Sequence, residues 1–289
     1  MSATDPEGGL DLSRLDSWTE EEAERFDDFY ERTKDGMMAG HAFWIAQDPG
    51  VLKRYRRYAI EMNAEENRAH PAVAVLSWLH LYAILGFEDG IAYQIVNARS
   101  RGDADRRTVV AVLEAAFLHS GPWGSAVVAK AAGPLIETLP DGDTTSWPPG
   151  WRIDPETFAT GLDLSRPELA EDELVRIEDW YRRICSFVPG HITFLARHRP
   201  EALKAYRSRF EHAARSLPKQ LLPLLQLQWQ VVRGSATGIR EAVALARGLE
   251  APKSQAVDCV TRAMLYASPA AVTLVDEVAG DLFDDWPPA

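Results

Sequence analysis

The chain has 289 residues, 46% hydrophobic and 26% charged, which is long enough for two domains or one large core of ordinary globular composition. Its net charge of −12 argues against a nucleic-acid binder and against an anionic membrane surface, since both need a basic face. No run reaches the roughly 18 consecutive apolar residues of a membrane span, and the start, MSATDPEGGLD, lacks the basic and apolar regions of a secretory signal. The two cysteines, Cys185 and Cys259, form no CxxC, so neither a disulfide framework nor a cysteine zinc site is expected, and a cytoplasmic location fits best. A small anionic substrate stays compatible with the acidic total, because one pocket can hold local arginines.

In chain order, the pattern predicts helices throughout and an all-α fold. Residues 18–32 read as an acidic amphipathic helix with Trp18, Phe26, Phe29 and Tyr30 on its apolar side. Residues 70–85 are apolar almost all round, the mark of a helix buried on most faces. Residues 88–101 form the next helix, and Gly102 stands where a left-handed cap belongs. Asp103 or Asp105 can cap the following helix, which runs to His119 with Val109, Val112, Leu113, Ala116 and Phe117 inward. Ser120-Gly121-Pro122 breaks the chain before one more helix. Residues 139–155, LPDGDTTSWPPGWRIDP, read as a linker or surface loop. The second half repeats the hairpin over 221–247, then Gly248, a helix over 254–266, and a break at Ser268-Pro269. Gly234 to Gly238 has Gly-x-x-x-Gly spacing that suggests close helix packing. No period-two alternation marks a strand.

The halves also match residue by residue. Gly9-Leu10-Asp11-Leu12-Ser13-Arg14 returns as Gly161-Leu162-Asp163-Leu164-Ser165-Arg166. Asp28-Phe29-Tyr30-Glu31-Arg32 returns as Asp179-Trp180-Tyr181-Arg182-Arg183, Gly40-His41 as Gly190-His191, and Leu52-Lys53-Arg54-Tyr55-Arg56 as Leu203-Lys204-Ala205-Tyr206-Arg207. Trp147-Pro148-Pro149 closes one half and Trp286-Pro287-Pro288 the other. Ordered matches at a nearly fixed offset predict a tandem duplication, with helical units over 1–150 and 151–289; the period is too long for a solenoid.

The stretch 85–123 carries a family likeness. It has a helix ending in Ala98-x-x-x-Gly102, a second helix with Glu114-Ala115-Ala116, and then Gly121-Pro122. This resembles the carboxymuconolactone decarboxylase and alkylhydroperoxidase-D-like family, and Ala244 to Gly248 followed by Ala267-Ser268-Pro269 is a worn version. The likeness covers about 50 residues of each half. It implies an all-α bundle that forms a homo-oligomer, for a fused pair a trimer like six single units, with pockets between helical units. The family's redox branch has a C-x-x-C-x-x-x-H motif; here those positions are Phe87, Gly90 and Gln94, or Arg233, Ala236 and Arg240 in the second half. The assisting glutamate falls at Val75 and Leu221. Thiol peroxidase chemistry needs a low-pKa thiolate and a resolving thiol, and is therefore not expected. The decarboxylase branch often has a histidine where this chain has Gln94, which cannot act as a general acid near pH 7.

What the resemblance implies is a cofactor-independent enzyme that decarboxylates, or moves a proton on, a small unsaturated or lactone-type carboxylic acid. The candidate catalytic residues are His80, Glu88 and His119; Trp78, Tyr82, Tyr93, Gln94 and Trp123 are the candidate substrate-binding residues, and no metal or cofactor is expected. Each has a plainer reading. His80 suits a satisfied core histidine, Glu88 a helix-dipole partner, and His119 a hydrogen bond to last-turn carbonyls. The tryptophans suit core or interface packing. His41 and His191 suit a helix start, and Lys53, Arg56, Lys204 and Arg207 a solvated basic face rather than an anion clamp. No Walker loop, Rossmann glycine pattern, HExxH or GxSxG is present. The rival expectation is a non-catalytic family member that binds a ligand or scaffolds a complex.

Overall fold

A computed structural model describes residues 7–34, 39–62 and 70–287. Its regular elements are helical: α1 Glu20–Lys34, α2 Ala39–Gln47, α3 Pro49–Met62, α4 Pro71–Leu85, α5 Glu88–Gly102, α6 Arg106–Ser120 and α7 Ser125–Ile136 in the first half, then α8 Glu171–Cys185, α9 Gly190–His198, α10 Pro200–Ala214, α11 Leu221–Arg233, α12 Ala236–Gly248, α13 Lys253–Ala263 and α14 Ala270–Asp284. Among the described residues there is no β-sheet, only an isolated bridge between Ile153 and Pro218. The all-α expectation holds. No described helix is long and apolar enough to cross a membrane.

The chain forms two compact units, Met1–Arg68 and Ala69–Ala289. This is a different division from the repeat halves 1–150 and 151–289, because the 139–155 loop lies inside the second unit. That loop does not swing free. Thr145 Oγ1 donates to Asp105 Oδ2 at 2.6 Å, Ser146 N donates to the Gly102 carbonyl at 3.0 Å, and Arg106 N donates to the Pro140 carbonyl at 3.0 Å. Asp105 also caps α6 by accepting from Thr108 N at 2.8 Å, so one side chain starts the helix and holds the loop.

In the first unit, Leu10, Leu12, Phe26, Phe29, Tyr30 and Leu52 form the core. Trp18 lies before α1 rather than in it, yet still meets Phe26 edge-on. Beside this core sits a buried ion pair. Glu22 accepts from Asp11 N at 2.7 Å and binds Lys53 Nζ, which also donates to the carbonyls of Arg14 and Ser17. Within the second unit the repeated residues make the same construction. Glu173 accepts from Asp163 N at 2.6 Å and pairs with Lys204 Nζ at 3.0 Å, and Lys204 donates to the Glu168 carbonyl. Ser13 and Ser165 each fold back onto Asp11 and Asp163. The expected solvated basic face is therefore wrong for Lys53, Lys204 and Arg207, all of which are buried. Arg207 lies over the Trp180 ring, donates to the Phe158 carbonyl and pairs with Glu211 at 3.0 Å. A cation can be buried here because each carries its own carboxylate and carbonyl acceptors.

The core of the second unit is built from the two hairpins and the helices that back them. In α4, Val73, Leu76, Leu79 and Leu81 are fully buried. Gly86, at φ +65°, ends that helix, so α4 can turn sharply into α5. Gly102 does not make the left-handed turn expected of it; it is the last residue of α5, and Asp103 takes φ +48°. The glycine serves close approach instead, since a Cβ there would stand 3.1 Å from Ala72 Cα. Its counterpart Gly248 packs still closer, with the Ile184 carbonyl where a Cβ would go. The Gly234–Gly238 segment spans a helix break: Gly234 caps α11, Ser235 caps α12, and Gly238 lies in the first turn of α12, where a Cβ would meet the Gln230 side chain.

Candidate functional site

The periodicity of α4 puts His80 on the side that meets α6, and there it meets His119. His80 Nε2 and His119 Nδ1 are 2.9 Å apart, with the rings edge to face. His80 is fully buried. Burial pushes its pKa well below the ordinary imidazole value, with the neighbouring His119 adding to this and the Ala115 carbonyl opposing it. Burial alone brings His119 down to about 4. Both rings are therefore neutral near pH 7, and one proton lies between them. The outer nitrogens, His80 Nδ1 and His119 Nε2, are buried without a well-formed hydrogen bond. Whichever ring donates across the 2.9 Å contact, the outer pair presents one N–H and one lone pair. Uptake of a proton at the outer lone pair, transfer of the central proton and release of the other ring's outer proton together leave both rings neutral with those roles exchanged, which is what a proton relay requires.

An apolar cleft of about 200 Å³ is lined by Ala83, Leu113, Ala116, Phe117, Gly121 and Val128 among others, and neither histidine lines it. His80 precedes Ala83 by three residues and His119 follows Ala116 by three, so each histidine is one helical turn from a cleft wall. Small side chains make the space: at Gly124 a Cβ would collide with the Ala83 carbonyl. Phe117, expected in the core, is 43% exposed at the rim. A second cleft, about 320 Å³, is lined by Arg106, Arg107, Glu114, Asp141 and Arg215 among others. Its charges largely cancel, with Arg106 facing Glu137 and Asp141, and Arg107 facing Asp143.

The other expected residues do not join the histidines. Glu88 reaches outward to Lys130 at 2.7 Å, both side chains substantially exposed, so its role is that of a helix-start carboxylate on the surface. Trp123 is 88% exposed, because Gly121-Pro122 turns the chain outward before α7. Gln94 is buried, 3.5 Å from Asn97, and Tyr93 is half-buried on the same helix. Trp78 and Tyr82 stack at 5.7 Å, and Tyr266 from beyond α13 packs against both. The Tyr266 hydroxyl donates to that of Tyr82 at 2.8 Å. Tyr266 escaped the sequence reading because it follows a helix of the other half, and no local pattern links residues 184 apart.

The Gly-His pairs do begin helices: Gly190 is the first residue of α9, and His191 Nδ1 lies 3.4 Å from Glu241. The cysteines are both buried and unpaired, and burial holds each thiol protonated, Cys185 being pushed up to about 12. Among the described residues no group of three or more His, Cys, Asp or Glu stands close enough to hold a metal. No family model, curated protein or solved structure matches the chain.

Proposed function

We propose that the chain is a carboxymuconolactone-decarboxylase-like protein without redox thiols, arisen by tandem duplication, that moves a proton on, or decarboxylates, a small unsaturated or lactone-type carboxylic acid. The observation that carries this reading is the buried His80–His119 pair, each ring one helical turn from a residue that lines an apolar cleft. A neutral imidazole pair in a dry site accepts a proton from an acidic C–H at one outer nitrogen and returns one from the other. The relay needs no cofactor. A cleft of about 200 Å³ suits a substrate smaller than most drug-like ligands. The duplication rests on the Glu22–Lys53 and Glu173–Lys204 constructions, which use matched residues and matched bonds. The resemblance implies a homo-oligomer, and the two unpaired cysteines fit a cytoplasmic location.

The test is turnover of a panel of unsaturated lactone acids and enol acids, followed by loss of ultraviolet absorbance. His80→Asn and His119→Gln should each lower kcat by about 10²–10⁴-fold on whichever substrate reacts. Equal turnover by both variants would sink the assignment.

One observation favours a second reading, a non-catalytic ligand-binding or scaffold protein. Trp78, Tyr82 and Tyr266 pack on one another, as a scaffold filled by aromatic side chains would have them, whereas an enzyme calls for an enclosed pocket lined by His80, Gln94 and Tyr93. Absence of turnover across the panel, together with saturable binding, would decide for it.

A further inference from the structure

On α13 and the turn after it, Cys259, Arg262 and Tyr266 recur at helical spacing, so they share a face. Both ends of that face meet α4. The Ser77 hydroxyl neighbours the Cys259 thiol, and the Tyr266 ring packs against Trp78 and Tyr82. Arg262 thus stands in sequence between two residues that meet one helix, the later of them part of an aromatic cluster.

Arg262 is only 2% exposed. Its Nε donates to the Asp258 carbonyl at 3.2 Å, and Nη2 reaches the Cys259 sulfur at 3.5 Å, a weak acceptor. Nη1 is buried with no partner at all. The Asp258 carboxylate, one turn earlier, does not come within ion-pair distance, and among the described residues Arg262 has no salt bridge. The contrast with the other buried cations is sharp. Lys53, Lys204 and Arg207 each hold a carboxylate within 3.0 Å. A guanidinium taken out of water without an anion is among the most costly arrangements a core can contain. Its Nη1–Nη2 end is a planar fork whose natural complement is a carboxylate.

We propose that Arg262 anchors the carboxylate of a small planar acid whose unsaturated body lies against the Trp78–Tyr82–Tyr266 rings. The inference shares with the proposed function the premise of an unsaturated acid, but it does not depend on acid–base chemistry. It also joins the halves in one site: Ser77 is one turn from His80 on α4, while Arg262 belongs to the second hairpin. Ala116, at the matching place in the first hairpin, carries no charge, so this anchor exists once.

The probe is trans-cinnamate, compared with uncharged trans-cinnamamide, titrated into the full chain by calorimetry and tryptophan fluorescence. Cinnamate should bind at least about tenfold more tightly than the amide. Arg262→Gln should remove that preference, Arg262→Lys should restore part of it, and Trp78→Leu should weaken both ligands alike. Equal affinity for acid and amide in the unaltered protein overturns the proposal, as does failure of cinnamate to bind at about 10 mM. That comparison needs no variant, so it decides even if Arg262→Gln does not fold. His119→Gln separates the two ideas. Cinnamate binding that survives in a protein without turnover supports the anchor while the catalytic reading falls; turnover that survives Arg262→Gln overturns the anchor and leaves the catalytic reading standing.

Discussion

The segments 9–56 and 161–207 and the hairpins that follow them behave differently under repetition. In the first pair of segments, identity extends to the bonds: an aspartate amide on a buried glutamate, that glutamate on a buried lysine, and the lysine on loop carbonyls. In the hairpins the helices recur and the polar groups do not. Where α4 and α6 hold His80, Leu113 and Ala116, the matching places of α11 and α13 hold Gln226, Cys259 and Arg262. A buried ion pair tolerates little change, since altering either partner strands the other charge. A helix packed by small residues keeps its path while its polar cargo varies. The matched segments thus share their bonds, and the hairpins differ in the polar groups they carry.

The strongest way to break that contrast is to cut both copies of the shared ion pair. Lys53→Ala and Lys204→Ala each leave a buried glutamate unpaired, and each should cost about 3–5 kcal/mol in urea unfolding. A large loss for one and none for the other would show that the copies are not equivalent. Acid probes the second copy from the other side. Hydrogen bonds from the Ala170 and Asp163 amides, helped by Lys204, hold the Glu173 carboxyl down at about 2. Its stabilisation is present above the unfolded carboxylate value and is lost as pH falls toward 2.

The histidine pair should respond at milder acidity, and only through the first hairpin. Its folded pKa values are both depressed by burial, so the unfolded chain takes up protons near 6.5 that the folded chain refuses, His119 until about 4. Stability should fall as pH drops across that window, by about 1.4 kcal/mol per pH unit for each histidine. His119→Gln should flatten the slope; an unchanged slope would mean the pair is already solvated. Next in size is a pair of glycines. Gly248→Ala drives a methyl into the Ile184 carbonyl and should cost about 1–3 kcal/mol, with Gly102→Ala costing less because Ala72 stands at 3.1 Å. Thermal melts of the two variants would rank them. Glu88→Gln and Trp123→Ser should shift stability by no more than about 0.5 kcal/mol, and a larger drop in turnover than in stability would return either residue to the site.

The sequence by itself determined the helical class, the breaks between helices, an aspartate cap for α6 at Asp103 or Asp105 and the buried character of α4, because these follow from local propensity and from a 3.6-residue period read over one segment. It also singled out His80 and His119. What it did not determine is which polar groups meet. Glu88 shares a helix region with the candidates yet points to Lys130, and Trp123 is carried outward by the turn before α7. Lys53, Lys204 and Arg207 look like surface cations until their partners, tens of residues away, fold around them. Cys259 and Tyr266 meet α4 only through the packing of two hairpins. Burial, pairing and pKa belong to pairs of distant residues, and only the tertiary structure brings those pairs together.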